Sequence, residues 1–141
     1  MAIQQRAVRK IDWWNIGLWA AQLVLALVFG SAGVMKLFMP IETLGTSLNW
    51  VTHSPALLVR FIGFVELAGA IGMILPAATR ILPWLTPLAA LGFAVIQVLA
   101  IGVHASLGEL ALSLPLNLAL LALSAFVIWG RTRKSVVTSR S

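Results

Sequence analysis

Four long hydrophobic runs follow one another along the chain, at residues 16–38, 56–75, 83–103 and 110–129. Each has roughly the 20 residues that a helix needs to cross a hydrocarbon core about 30 Å thick. None alternates apolar and polar positions as membrane strands do, and backbone groups in lipid must pair within their own helix or in a closed barrel. The pattern therefore predicts an all-α membrane protein, an up-down bundle of four transmembrane helices.

Prolines and polar residues divide the chain around these runs. Pro76 is expected to close the second span, because proline interrupts the hydrogen-bond ladder of a helix. We predict an N-terminal segment at the membrane interface over residues 1–15, a transmembrane domain over 16–130, and a basic flexible tail over 131–141, where Ser, Thr, Lys and Arg dominate.

Composition agrees with a membrane location. The chain is 60% hydrophobic and 10% charged, whereas a soluble domain is about a quarter charged. It contains no cysteine, which excludes disulfides, thiolate metal sites and thiol catalysis. Neither histidine has a recognisable metal-ligand spacing, so we expect no bound metal.

The basic residues indicate an orientation. Eight of the ten lie before the first run, after the last one, or at Arg80 in the turn over 76–82, whereas segments 39–55 and 105–109 have none. The positive-inside rule then places both termini in the cytoplasm. The charge pattern suits a multi-pass membrane protein and not a nucleic-acid-binding protein. Tryptophans that mark the same interface are Trp13, Trp14, Trp84 and Trp129.

Three polar residues fall near the middle of the predicted spans: Glu66, Gln97 and Asn117. Each lies on a helix face rich in small residues, so we expect the three side chains to converge inside the bundle. Helical rise places no basic side chain at the depth of Glu66. Glu66 is therefore expected to be protonated and hydrogen-bonded to Gln97 or Asn117. Two interpretations remain open: a structural network that fixes helix register, and a ligand or proton site.

A basic layer is predicted nearer the outer surface, formed by Lys36, Arg60 and His104. Lys36 is placed about 15 Å above Glu66 by counting helical rise from each span's midpoint. These side chains either extend to the lipid headgroups or form the rim of an outward-facing cleft whose floor is Glu66, Gln97 and Asn117.

The sequence resembles the DoxX family of small bacterial membrane proteins over roughly residues 16–131. The segments that carry the resemblance are Gly33–Pro40, Arg60–Pro76, Leu82–Ala90 and Trp129–Arg131, together with His104, Glu109 and Asn117. The block from Arg60 to Pro76 is the most specific, since a random apolar span would not hold Arg and Glu at depth. The chain departs from the family at Ala105–Gly108, where other members often carry basic residues.

The resemblance implies a four-helix subunit associated with membrane oxidoreductase systems, because DoxD-type relatives belong to thiosulfate:quinone oxidoreductase. It also implies oxidoreductase subunits as partners and a location in the bacterial inner membrane. A quinone or other lipid is a possible ligand, because two or three hydrogen-bonding groups in an apolar cleft suffice to hold carbonyl oxygens. The chain itself offers no redox centre and no assigned catalytic residue, so we do not expect an enzyme that acts alone.

Three functions remain open from the sequence. The first is an accessory subunit that binds a quinone or lipid-like molecule, the second a small proton-coupled transporter that uses Glu66, and the third an assembly factor without a ligand. Membrane lipid is the expected partner in every case, and small-residue faces also permit a homodimer.

Overall fold

The computed structural model describes residues 9–141, and every regular element in that range is helical. In chain order the elements are α1 at Trp13–Phe38, α2 at Ile41–Ser47, α3 at Asn49–Thr52, α4 at Ala56–Thr79, α5 at Leu85–Ser106 and α6 at Leu110–Trp129, followed by a π-helical turn at Gly130–Lys134. Helices α1, α4, α5 and α6 are long and apolar enough to cross a membrane. The predicted four-helix membrane fold is therefore confirmed.

The four long helices place both ends of the described chain on one side of the bundle. The rings of Trp14, at the start of α1, and Trp129, at the end of α6, meet edge to face at 5.3 Å between centroids. We call this side the terminal end, and the side with α2 and α3 the loop end. Residues 1–8, which include Arg6 and half of the predicted 1–15 segment, lie outside the described residues.

Helix α4 continues past Pro76 to Thr79, whereas the sequence predicted an end at Pro76. Proline has no N–H and leaves the carbonyl four residues earlier, that of Gly72, without its helical donor. The hydroxyl of Thr86 on α5 donates to this carbonyl at 3.2 Å. A neighbouring helix thus supplies the missing hydrogen bond, as membrane helices with internal proline require.

Large apolar side chains cover the outside of the bundle. Leu27 is 72% exposed and Leu112 is 89% exposed, and many similar residues surround them along the four long helices. Continuous apolar surface of this extent is rare on soluble monomers. The exposed faces are therefore the faces that contact lipid.

An apolar layer fills the middle of the bundle. The rings of Phe29 on α1 and Phe93 on α5 stack at 3.8 Å between centroids, and both side chains are buried. Leu25, Met73 and Leu120 pack in the same cluster. This layer separates two groups of buried polar side chains, one in each half of the bundle.

The segment over residues 39–55, which lies between the first two predicted spans, folds over the loop end. Its helices α2 and α3 pack through Leu44 and Val51 against Val59 of α4, and all three residues are buried. This small second core closes the bundle above the loop-end polar group.

Candidate functional site

Two ionisable side chains meet inside the bundle between α1 and α4. Nζ of Lys36 donates to Oε2 of Glu66 at 2.7 Å, and both residues are buried. A charge removed from water is strongly disfavoured unless it is paired. The pair therefore explains how the chain keeps a lysine and a glutamate at this depth.

The close contact of α1 with α4 places Lys36 beside Glu66. A Cβ atom added to Gly33 would come within 2.7 Å of the Gly63 carbonyl oxygen, and one added to Gly63 would lie equally close to the Lys36 side chain. Lys36 thus starts level with Gly63, which is three residues, or about 4.5 Å of helical rise, from Glu66. A lysine side chain spans that distance easily.

The structure corrects two expectations about this pair. Lys36 is buried and not part of an outer rim, and the hydrogen-bond partner of Glu66 is Lys36 rather than Gln97 or Asn117. The predicted position of Lys36 was wrong because it assumed that the midpoints of all four hydrophobic runs lie at the same depth in the membrane. In the structure the glycine contact, and not the midpoint of each run, sets the level of α1 against α4.

Glu66, Gln97 and Asn117 nevertheless line a single cavity of about 320 Å³ in the loop-end half, together with Lys36 and His104. Two of these lining residues have a buried polar atom without a hydrogen-bond partner in residues 9–141, namely Oε1 of Gln97 and Nδ2 of Asn117. One is an acceptor and the other a donor. Leaving such an atom unpaired costs about 1–3 kcal/mol, and buried polar atoms nearly always have a partner.

The remaining walls of the cavity are mostly apolar. They consist of Leu48, Trp50, Ile62, Ile96, Leu99, Ala100, Val103 and Leu116. Leu99 and Leu116 are 64% and 60% exposed on the outside of the bundle, so part of the cavity wall is also lipid-facing surface. The cavity is an apolar cleft with a few polar groups, the usual composition of a small-molecule site.

The predicted rim residues have three different positions. His104 lines the cavity and lies 3.3 Å from Oε2 of Glu109, whose other oxygen accepts a 2.7 Å hydrogen bond from Asn49 of α3. Arg60 does not line the cavity, and its guanidinium donates to the backbone carbonyl of Lys36. The structure thus brings Lys36 and His104 to the cavity and assigns Arg60 to the end of α1.

The polar groups of the cavity suit a neutral organic ligand better than a metal. Among residues 9–141 no cluster of three His, Cys, Asp or Glu side chains exists that could hold a metal ion. The lysine and glutamate pair with each other, and the two open positions are an amide oxygen and an amide nitrogen. A molecule with one donor and one acceptor would complete both hydrogen bonds.

A second buried polar group lies in the terminal-end half, and sequence reasoning missed it. Arg131, which is 4% exposed, donates from Nε to Oε1 of Gln22 at 2.6 Å and from Nη1 to Oδ1 of Asn15 at 2.8 Å. Nε2 of Gln22 donates in turn to the carbonyl of Met73 at 2.6 Å. The sequence analysis assigned Arg131 to a solvated tail, whereas the structure buries it.

Gly130 is the residue from which the sequence could have indicated the burial of Arg131. Its α-carbon lies against the side chain of Leu18, so that a Cβ atom would collide with the leucine. A glycine directly before an arginine, at the end of an apolar run, therefore allows the chain to approach α1 closely enough for Arg131 to reach Gln22.

The sequence model of the DoxX-like family matches residues 20–127. The matched segment includes every residue named above for the cavity and excludes Asn15 and Arg131. Comparisons with curated proteins and with solved structures found no match.

Proposed function

This chain belongs to the DoxX-like family and is an integral membrane protein, and we propose that it binds a neutral lipid-like molecule of the quinone class in the loop-end cavity. The observation that carries the proposal is the pair of unpartnered atoms, Oε1 of Gln97 and Nδ2 of Asn117. A quinol hydroxyl donates to the first, and a quinone or quinol oxygen accepts from the second. Ligand binding thus provides the partners that these two amides lack.

The charges of the cavity favour a neutral ligand. Lys36 and Glu66 satisfy each other at 2.7 Å, and His104 is near Glu109. An anion such as a fatty acid would have to compete with Glu66 for Lys36, at the cost of leaving a buried carboxylate unpaired. A neutral ring with polar oxygens does not disturb the pair.

The size and position of the cavity agree with a ring-shaped headgroup that enters from the bilayer. A volume of about 320 Å³ is at the lower end of the range for ligand sites. The exposed leucines in its wall, Leu99 and Leu116, give an apolar tail a route into the surrounding lipid.

The redox part of the proposal rests on the resemblance to DoxX-type chains, which implies a place beside membrane oxidoreductases. In this role the chain holds the quinone and electrons come from a partner subunit, since the chain has no cysteine thiol to supply them. We place the protein in the bacterial inner membrane with the terminal end in the cytoplasm, because the basic residues concentrate there.

The first experiment is to purify the protein from its native membrane in a mild detergent and to quantify quinones and other neutral lipids per chain by mass spectrometry. Gln97→Leu and Asn117→Leu should lose the co-purified ligand. Ser124→Ala is the matched control, since Ser124 is buried on the same face of α6 as Asn117 but bonds only the carbonyl of Leu120. Equal ligand content in all four proteins would contradict the proposal.

Two other results would favour the alternative functions. Substrate flux that depends on a proton gradient in vesicles, and is lost in Glu66→Gln, would indicate a transporter. A wild-type protein without a co-purified molecule but with a stable partner chain would indicate an assembly factor.

A further inference from the structure

A second cavity lies at the terminal end, outside the quinone site. It measures about 310 Å³ and is bounded on one side by Pro83, Trp84 and Pro87 around the start of α5. The tail forms the other side, with Arg131, Thr132, Val136, Val137 and Ser139. The tail is fixed over it, because Nε of Arg80 donates to the carbonyl of Thr138 at 3.1 Å. The cavity is thus formed by two segments that are held together.

Arg131 lines this cavity and supplies a buried positive charge. Its Nη2 atom has no hydrogen-bond partner in residues 9–141, although Nε and Nη1 do. No carboxylate of the described residues lies within salt-bridge distance of the guanidinium, and Asp12 is linked to it only through Asn15 and Ser135. A buried guanidinium without a direct counter-ion favours a bound anion.

The surroundings strengthen this preference. Among the described residues the terminal end carries seven basic side chains, namely Arg9, Lys10, Arg80, Arg131, Arg133, Lys134 and Arg140, against the single acidic Asp12. The six basic residues other than Arg131 have the same sign as its guanidinium and raise the positive potential around the cavity.

We propose that this cavity binds the phosphate of an anionic phospholipid headgroup, with Arg131 as the principal donor. The position of the cavity supports a lipid source, because Trp84 in its wall is 58% exposed and tryptophan prefers the headgroup region of a bilayer. Arg131 joins the last helix to α1 through Gln22, so the bound lipid also stabilises the closure of the bundle.

The test compares two variants with the same change in charge. Thr132→Glu introduces a carboxylate at the cavity wall, whereas Thr138→Glu introduces one on the same tail but away from the wall. Each protein is reconstituted in phosphatidylcholine nanodiscs with and without phosphatidylglycerol. The melting temperature and the lipids retained in native mass spectrometry are then measured.

We expect phosphatidylglycerol to raise the melting temperature of the wild type and of Thr138→Glu by about 3 °C or more, because a ligand of the folded state stabilises it. Thr132→Glu should show little shift and should retain no phosphatidylglycerol. An equal shift in both variants would mean that the lipid acts through diffuse charge attraction, and would overturn the proposal. No shift in the wild type, or the same shift with inorganic phosphate in pure phosphatidylcholine, would also contradict a lipid site.

Discussion

The two buried polar groups of this protein differ in which side chains lack hydrogen-bond partners. In the loop-end group the charges are paired, Lys36 with Glu66, and the amides of Gln97 and Asn117 lack partners. In the terminal-end group both polar atoms of the Gln22 amide have a partner, and the charged Arg131 has an unpartnered nitrogen. This difference is the basis of the two proposals, a neutral molecule with hydrogen-bonding oxygens for the loop-end group and an anion for the terminal-end group.

The apolar layer of Phe29 and Phe93 keeps these two groups apart. Because the two groups share no hydrogen-bond partner, they should respond independently to substitution, as distant sites without shared partners do. The comparison can therefore be tested one group at a time.

The largest effect is expected for Lys36→Met. Removal of one partner of a buried ion pair leaves Glu66 uncompensated and costs about 3–5 kcal/mol of stability. We expect a large loss of melting temperature in detergent, with most of it recovered in the double variant Lys36→Met/Glu66→Leu. Lys134→Met is the control, since Lys134 lies exposed near the rings of Trp14 and Trp129. Equal melting temperatures for the two single variants would show that the Lys36 pair contributes no stability.

A smaller effect is expected for Gln22→Leu in the terminal-end group. This change removes the acceptor of Arg131 Nε and the donor to the Met73 carbonyl, and loss of a buried hydrogen bond to a charged group costs about 1.5–3 kcal/mol. Ser31→Ala removes an exposed hydroxyl that bonds only its own helix and should change stability by less than about 0.5 kcal/mol. If both variants unfold at one temperature, the terminal-end group does not stabilise the bundle.

Overpacking of the apolar layer is expected to lower the stability by a similar or smaller amount than Gln22→Leu does. A Cβ atom at Gly69 would lie 2.5 Å from the ring of buried Phe93, whereas a Cβ atom at Gly92 would meet nothing within 4 Å. Gly69→Ala should cost about 1–3 kcal/mol through overpacking, and Gly92→Ala should leave stability unchanged or raise it, because alanine favours the helix. Thermal unfolding of the pair measures the difference, and equal stability would mean that the layer is loosely packed.

The fold was predictable because each hydrophobic run is long enough to determine its own helix, independent of the others. The end of α4 was harder to predict than its existence. The helix continues past Pro76 because the hydroxyl of Thr86, on a different helix, donates to the carbonyl that proline leaves free. A pattern within one run does not reveal such a partner.

The site was predictable only as far as single helices allow. Helix faces brought Glu66, Gln97 and Asn117 to one cavity, because the side chains on a face follow from spacing alone. The partner of Glu66 depends on the register between α1 and α4, which the backbone contact of Gly33 with Gly63 sets. Arg131 was misassigned for a related reason, since its burial depends on a tertiary contact with Gln22, and basic residues after a span are usually solvated.

The smallest effect on stability should accompany the largest effect on binding. Asn117→Leu removes an amide whose nitrogen bonds nothing in the described chain. The substitution breaks no hydrogen bond of that atom, so the melting temperature of the ligand-free protein should stay the same or rise slightly. The same change removes a donor to the proposed ligand.

The most direct measurement is therefore a calorimetric titration of wild type, Asn117→Leu and Ser124→Ala with a short-tailed quinone analogue in detergent. We expect saturable binding of one molecule per chain to the wild type and to Ser124→Ala, and an affinity at least about tenfold lower for Asn117→Leu, as loss of one buried hydrogen bond implies. Equal affinity in the three proteins, or no saturable binding to the wild type, would contradict a quinone site in the loop-end cavity.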